Sequence, residues 1–251
     1  MWIKSHALAI NSALILMSTS IINTIGHELA HYITRIYFHL QPELHHNYVQ
    51  SSVVGTPLQE MFSAAAGPLF SLVFGIVILW IATNQMSPSL SKLFMLWLGL
   101  GGILEFMGYI VIAPIAKAGD TGKVFDYFGF PLLLSLGLAI VSFVAIYLFF
   151  VRLAPQFAHY KGQQKFDQRA NAKQLFIYPI FVTIILGTLV SLPVVTWISL
   201  LPTIFMPMAY FSIMGAYFEL KITDAPVQVD KVSFPLVIVT LVIVVTFRLL
   251  V

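Results

Sequence analysis

Residues 27–31 read HELAH and fit the pattern H-E-x-x-H. On a helix, side chains four positions apart project from one face, so the imidazoles of His27 and His31 can bind the same zinc ion. Glu28 is rotated by about 100° from His27 around such a helix, near enough to act as a general base on water. These residue types at this spacing indicate zinc-dependent hydrolysis, with two histidine ligands and Glu28 as the catalytic residue.

A catalytic zinc ion takes three protein ligands and keeps one position open. The chain contains no cysteine, so the third ligand is a histidine or a carboxylate. Asp120 is favoured because Pro114 and the glycines on either side of Asp120 break a helix there and let the carboxylate bend towards the two histidines. Glu105 and Asp126 are the alternatives. Three other roles are open to Glu105, namely an acceptor that holds a ligand histidine, a substrate contact and a structural carboxylate.

The elements that must position these residues are membrane helices. Of the 251 residues, 59% are hydrophobic and 9% are charged, whereas soluble domains are about one-quarter charged. Ionisable groups inside membrane helices are costly and mostly functional, which favours a metal site at residues 27–31. The net charge of +3 is too small to indicate nucleic-acid binding. We therefore predict a multi-pass integral membrane protein in a lipid bilayer, with no nucleic-acid partner.

Apolar segments of about 20 residues predict six or seven crossings, depending on whether the segment that contains Pro207 spans the membrane. The expected fold class is all-α, a polytopic transmembrane bundle with a three-helix catalytic core. Residues 1–130 are predicted to form that core, and residues 131–251 to form accessory helices with a polar linker at 154–173. The predicted segments are 5–37, 58–83, 90–116, 131–152, 174–200, 203–218 and 234–250.

A polar segment that separates the first two predicted crossings contains YVQSSVVG, residues 48–55, which has mild strand character and ends at a glycine. An edge strand can accept an extended peptide by backbone pairing. The segment 47–55 is therefore either a strand that receives an unwound substrate or a plain connecting loop.

Three motifs within residues 23–122 make the sequence resemble the site-2 protease family, the zinc-dependent intramembrane metalloproteases. HELAH lies late in a transmembrane helix, as in that family. AAAGPLFS, residues 64–71, is similar to the Gly-Pro motif of the family's next core helix. APIAKAGDTG, residues 113–122, is similar to the family's Asp-Gly segment, which carries the third zinc ligand.

The resemblance implies a fold, an activity and a ligand set. His27, His31 and Asp120 would bind one zinc ion per chain, and Glu28 would activate water. The substrate would be a membrane protein, cleaved in or near a transmembrane helix. The chain would be a divergent member without a PDZ domain, because no segment is long and polar enough for one.

Departures from the family pattern leave a second interpretation open. Ser71 stands where the family usually has an Asn that helps to hold the substrate carbonyl, and Thr121 stands where it has Gly. Ser71 therefore remains, with Glu105, a candidate for substrate contact. The alternative function is a catalytically inactive zinc-binding membrane protein of the same fold that acts through helix–helix interaction. The intact Glu28 argues against it, because a structural zinc site does not need that acid.

Overall fold

Long apolar segments in a membrane must bond their own backbone polar groups, which favours helices. The computed structural model describes residues 6–161, 165–194, 200–221 and 227–250, and over these the chain is an all-α bundle with one short β-hairpin. In chain order the elements are α1 (Ala7–Tyr37), β1 (Pro42–Leu44), β2 (Val49–Ser51), α2 (Pro57–Asn84), α3 (Leu90–Ile112), α4 (Asp120–Tyr127), α5 (Leu132–Leu153), a 3₁₀ helix (Ala154–Tyr160), α6 (Lys165–Ala172), a π-helical turn (Lys173–Ile177), α7 (Tyr178–Ser191), α8 (Leu200–Phe205), a second 3₁₀ helix (Met206–Tyr210), α9 (Phe211–Glu219) and α10 (Phe234–Leu249).

Five helices in the described ranges are long and apolar enough to cross a membrane, which supports the prediction of a membrane protein. They overlap the first five predicted segments: Ala7–Tyr37, Pro57–Asn84, Leu90–Ile112, Leu132–Tyr160 and Gln168–Ser191. The fifth helix ends before the predicted end at 200, and residues 195–199 of that segment lie outside the described ranges.

The last two predicted crossings are less regular. The segment 203–218 is divided among α8, the 3₁₀ helix that contains Pro207, and α9. The segment 234–250 forms α10, whose 16 residues are fewer than the roughly 20 that a helix along the bilayer normal needs. The count of six or seven crossings therefore stays a prediction.

Helices α1, α2 and α3 pack against one another, and small residues let α2 and α3 approach closely. A Cβ atom on Gly75 would lie 2.7 Å from the carbonyl oxygen of Gly99, and one on Gly102 would lie 2.6 Å from that of Ser71. Helix α1 also contacts α7 and α10, so elements of the second half pack against the helix that carries HELAH.

The termini of the elements follow local sequence signals. Helix α2 begins with a capping box, in which the Thr56 hydroxyl accepts from the amide of Gln59 and the Gln59 side chain accepts from the amide of Thr56. Strand β2 confirms the strand character expected within 48–55, and it pairs antiparallel with β1.

Candidate metal centre

Both histidines of HELAH lie on the face of α1 that packs against α2. His27 is 2% exposed and His31 is 7% exposed. Their Nε2 atoms are 3.0 Å apart, as expected for side chains one helical turn apart that share a face. Gly67 of α2 makes room for them, because a Cβ atom there would clash with Nε2 of both rings, 2.7 Å from that of His27. The glycine of the AAAGPLFS motif is thus a steric requirement of the site.

Asp120 reaches the two histidines from the start of α4. Helix α3 ends at Ile112, before Pro114, and α4 begins at Asp120. The turn between them is tight, since a Cβ atom on Gly122 would clash with the carbonyl oxygen of Ala116. An oxygen of the Asp120 carboxylate lies 3.0 Å from Nε2 of His27 and 3.3 Å from Nε2 of His31. The structure therefore brings together the three predicted metal ligands, and they form a group able to hold a metal ion.

The spacing of these three atoms fits a zinc ion. Tetrahedral zinc with nitrogen and oxygen donors about 2.1 Å away keeps those donors roughly 3.4 Å apart. The observed separations of 3.0, 3.0 and 3.3 Å are close to that value. A carboxylate oxygen and two imidazole nitrogens that meet in this way can hold a cation among them, either a proton or a metal ion.

Asp120 is held in the form that binds a metal. Burial by itself raises the pKa of a carboxyl group. The neighbouring imidazoles of His31 and His27 outweigh burial and hold the pKa of Asp120 well below its usual range. The group is therefore ionised at neutral pH.

The second nitrogen of His31 is fixed by the backbone. Its Nδ1 atom lies 2.6 Å from the carbonyl oxygen of Ser63 on α2. A carbonyl only accepts hydrogen bonds, so Nδ1 carries the proton and donates it. No sequence signal could have revealed this contact, because any residue at position 63 presents the same carbonyl.

The second nitrogen of His27 faces side chains instead. Its Nδ1 atom lies 3.3 Å from the hydroxyl oxygen of Ser71 on α2, and that hydroxyl donates to Glu105 on α3 at 2.8 Å. The His27 ring also stacks on Tyr109, with centroids 5.0 Å apart. Sequence reasoning missed Tyr109, although it follows Glu105 by four residues and so shares its face of α3.

Of the alternative third ligands, neither joins the group around the histidines. Glu105 has an oxygen 3.9 Å from Nδ1 of His27, on the side of the ring opposite the converging Nε2 atoms. Asp126 is exposed on α4. Among the described residues, Asp120 is the carboxylate that lies with both histidines.

A cavity of about 380 Å³ opens on this group. Its walls include the three candidate ligands, Glu28, Arg35 and Lys123. Glu28 thus faces the same space as the candidate ligands, which is the placement that a general base needs. Strand β2 contributes Val49 to the wall.

Part of the cavity wall belongs to the second half of the chain. Ser191, at the end of α7, lines the cavity, and its carbonyl accepts from His46 at 3.0 Å and from Asn47 at 2.9 Å. These two donors lie in the loop of the β-hairpin. The accessory half therefore helps to enclose the site, a role that its sequence did not indicate.

Comparisons of the chain with protein-family models, with curated proteins and with solved structures found no match.

Proposed function

We propose that this chain is a zinc-dependent intramembrane endopeptidase that hydrolyses a peptide bond in or near a transmembrane segment of another membrane protein. One observation carries the proposal. Nε2 of His27, Nε2 of His31 and the Asp120 carboxylate converge in a cavity that Glu28 also lines, among helices long enough to cross a membrane. The resemblance of the motifs to the site-2 protease family supports the same function.

The roles of the residues follow from their chemistry. One zinc ion held by His27, His31 and Asp120 would supply Lewis acidity, which polarises a carbonyl and acidifies water. Glu28 takes a proton from the attacking water while the carbon–oxygen bond forms. Glu28 then gives that proton to the leaving nitrogen as the carbon–nitrogen bond breaks, which restores the carboxylate.

The cavity suits an extended substrate better than a helical one. A transmembrane helix hides its peptide bonds within its own hydrogen bonds, so a substrate must unwind before a carbonyl can reach Glu28. The cavity wall includes Val49 of β2, which places a strand beside the site. An unwound segment can pair with such a strand and remain extended across the cavity.

A catalytically inactive zinc-binding membrane protein of the same fold is the second candidate. The contacts of Ser71 favour it, because the hydroxyl is bonded to Glu105 and His27 and is not free to hold a substrate carbonyl. The position of Glu28 in the cavity favours the enzyme, since a metal site used only for structure does not need a carboxylate at its open side.

A comparison of wild type with Glu28→Gln tests the proposal. Both proteins are reconstituted in lipid vesicles with a pooled set of single-span membrane peptides, and mass spectrometry identifies new peptide termini. We expect wild type to produce termini within or beside the apolar segments. We expect Glu28→Gln to produce none, while metal analysis still finds one zinc ion per chain.

Glu43→Gln is the matched control, because Glu43 is exposed on β1 and lies away from the cavity walls. It should cleave like wild type, and a chelator should stop both proteins. Cleavage by Glu28→Gln at the wild-type rate would exclude the general-base role. Zinc binding by wild type without any cleavage would favour the inactive alternative.

A further inference from the structure

Glu105 is a partly buried carboxylate that the proposed reaction does not use. It lies in the membrane helix α3, and its side chain is 15% exposed. A carboxylate in that position is costly unless hydrogen bonds compensate it. Its oxygen accepts from the Ser71 hydroxyl at 2.8 Å, and Ser71 in turn faces Nδ1 of His27 at 3.3 Å. Glu105, Ser71 and His27 therefore form a hydrogen-bonded chain that ends at the candidate metal centre.

The direction of this chain follows from the chemistry of its members. A carboxylate accepts hydrogen bonds and has no proton to donate, so the Ser71 hydroxyl points its hydrogen at Glu105. The serine oxygen then presents a lone pair to His27, and Nδ1 of His27 must carry the proton. A histidine protonated at Nδ1 has its lone pair on Nε2, the atom that faces His31 and Asp120.

Ser71 alone would leave this direction undefined. A hydroxyl can donate to an imidazole nitrogen as well as accept from it, so without Glu105 both tautomers of His27 are compatible with the contact. Stacking on Tyr109 restricts the plane of the ring but does not select the protonated nitrogen. His31 does not have this ambiguity, because the Ser63 carbonyl can only accept.

We infer that Glu105 is a positioning residue that acts through Ser71 to hold His27 in the tautomer whose Nε2 lone pair faces the metal. The inference rests on the proposed function only in taking the site to bind zinc, and it does not require proteolysis. It assigns Ser71 to the support of His27 rather than to the substrate. Partners of this kind raise metal affinity by about 10- to 100-fold.

Zinc titration of the purified protein against a chromophoric chelator tests the inference without any substrate. We expect Glu105→Gln and Ser71→Ala each to weaken zinc binding by about 10- to 100-fold. The amide in Glu105→Gln can turn its nitrogen towards Ser71 and donate, which no longer forces His27 to protonate Nδ1. We expect the double variant to bind zinc as weakly as Ser71→Ala alone, because both changes interrupt one chain.

The visible absorption bands of Co²⁺ bound in place of zinc give a second readout. They depend on the arrangement of the ligands, so a misoriented His27 should change them in both variants. Unfolding temperatures measured with chelator present should not fall in Glu105→Gln, since its folded core keeps the same volume. Glu43→Gln and Ser135→Ala are the matched controls, and neither should change zinc affinity or the Co²⁺ bands.

Three outcomes would overturn the inference. If Glu105→Gln binds zinc as tightly as wild type, Glu105 does not position His27. Additive losses in the double variant show that Glu105 does not act through Ser71. If Glu105→Gln does not fold, the zinc affinity of Ser71→Ala is the deciding measurement. Wild-type affinity in Ser71→Ala also excludes the positioning of His27 through Ser71. Failure of the peptide cleavage test leaves these measurements intact, so the two proposals can fail separately.

Discussion

The surroundings of Lys161 and the candidate metal centre each bring three polar atoms of the chain together at a buried place, but only the first set surrounds an ammonium group of the chain itself. Lys161 is 2% exposed, and its Nζ atom donates to carbonyl oxygens at the end of α9. The acceptors are Tyr217 at 3.0 Å, Phe218 at 3.0 Å and Leu220 at 2.6 Å. An ammonium group has three donors, so donors and acceptors match.

Among the described residues, the candidate metal centre has no ammonium group that donates to its polar atoms in this way. Two imidazole nitrogens and one carboxylate oxygen meet within 3.3 Å, and no lysine or arginine side chain is bonded to them in the described part of the chain. This difference distinguishes a cluster of polar groups that are paired within the chain from a cluster that could bind an ion. In the Lys161 cluster the chain supplies its own cation, whereas His27, His31 and Asp120 form a group that could hold a metal ion.

The largest expected effect is the loss of one of the three acceptors at the metal centre. Structural zinc sites bind with about 10–16 kcal/mol shared among four ligands, so each ligand is worth roughly 2.5–4 kcal/mol. Asp120→Ala should therefore weaken zinc binding by roughly 100- to 1000-fold in chelator competition. Asp126→Ala, on the same helix but exposed, should bind zinc like wild type. Equal affinities in the two variants would mean that the acceptors do not form a metal site.

A second variant keeps all three acceptors and changes only their packing. Gly67→Ala places a methyl group against Nε2 of both His27 and His31, so the rings must move. We expect zinc affinity to fall by about 100-fold, a loss near 2.7 kcal/mol. Gly137→Ala is the control, because nothing lies within 4 Å of a Cβ atom at that position of α5. Wild-type affinity in Gly67→Ala would show that the tight approach of α2 is not required.

The Lys161 cluster should respond in stability and not in metal binding. Lys161→Met keeps the length of the side chain but leaves the carbonyls at the end of α9 without their donor. Unsatisfied buried acceptors cost about 1–3 kcal/mol, so thermal unfolding in detergent should show a loss near 2 kcal/mol. Lys173→Met, at an exposed position, should unfold like wild type. A change of zinc affinity in Lys161→Met would contradict the separation of the two clusters.

The smallest effect on stability is expected at the ion pair of Arg35 and Glu60, in which the chain supplies both charges. Arg35 on α1 donates to Glu60 on α2 at 2.8 Å and to Ser51 of β2 at 3.0 Å, and the Glu60 side chain is 29% exposed. Such pairs contribute about 0.2–1 kcal/mol, so Arg35→Gln should lower the free energy of unfolding by about 0.5 kcal/mol. Arg152→Gln, at an exposed position, should cost less. A loss above about 2 kcal/mol would show that the pair behaves as a buried one.

Much of the site could be predicted where it depends on neighbours along the chain. Helical periodicity places His27 and His31 on one face of α1, and the break at Pro114 allows Asp120 to turn towards them. The partner of His31 could not be predicted, because the Ser63 contact is made by the backbone. The contacts of Ser71 were also open, because its hydroxyl could have faced a substrate, a histidine or a carboxylate.

For the fold, too, features that depend on neighbours along the chain could be predicted, and contacts between distant residues could not. Composition and apolar segment length predicted an all-α bundle with long helices, and five such helices lie in the described ranges. The division of residues 203–218 into short helical pieces was only partly foreseeable from Pro207. The role of Ser191 in closing the cavity was not foreseeable, because it depends on how the end of α7 meets the hairpin loop.

The sequence by itself determined the membrane character of the chain, which follows from composition and segment length. It also determined that His27 and His31 share one helix face with Glu28 beside them, which follows from the period of a helix. Only the tertiary structure decided that Asp120, 93 residues beyond His27, completes the group and that Glu105 lies behind the first imidazole. The physical reason is that hydrogen bonding within a helix fixes neighbours within one turn. Contacts between distant residues depend on how closely whole helices can pack, which here is set by glycines such as Gly67.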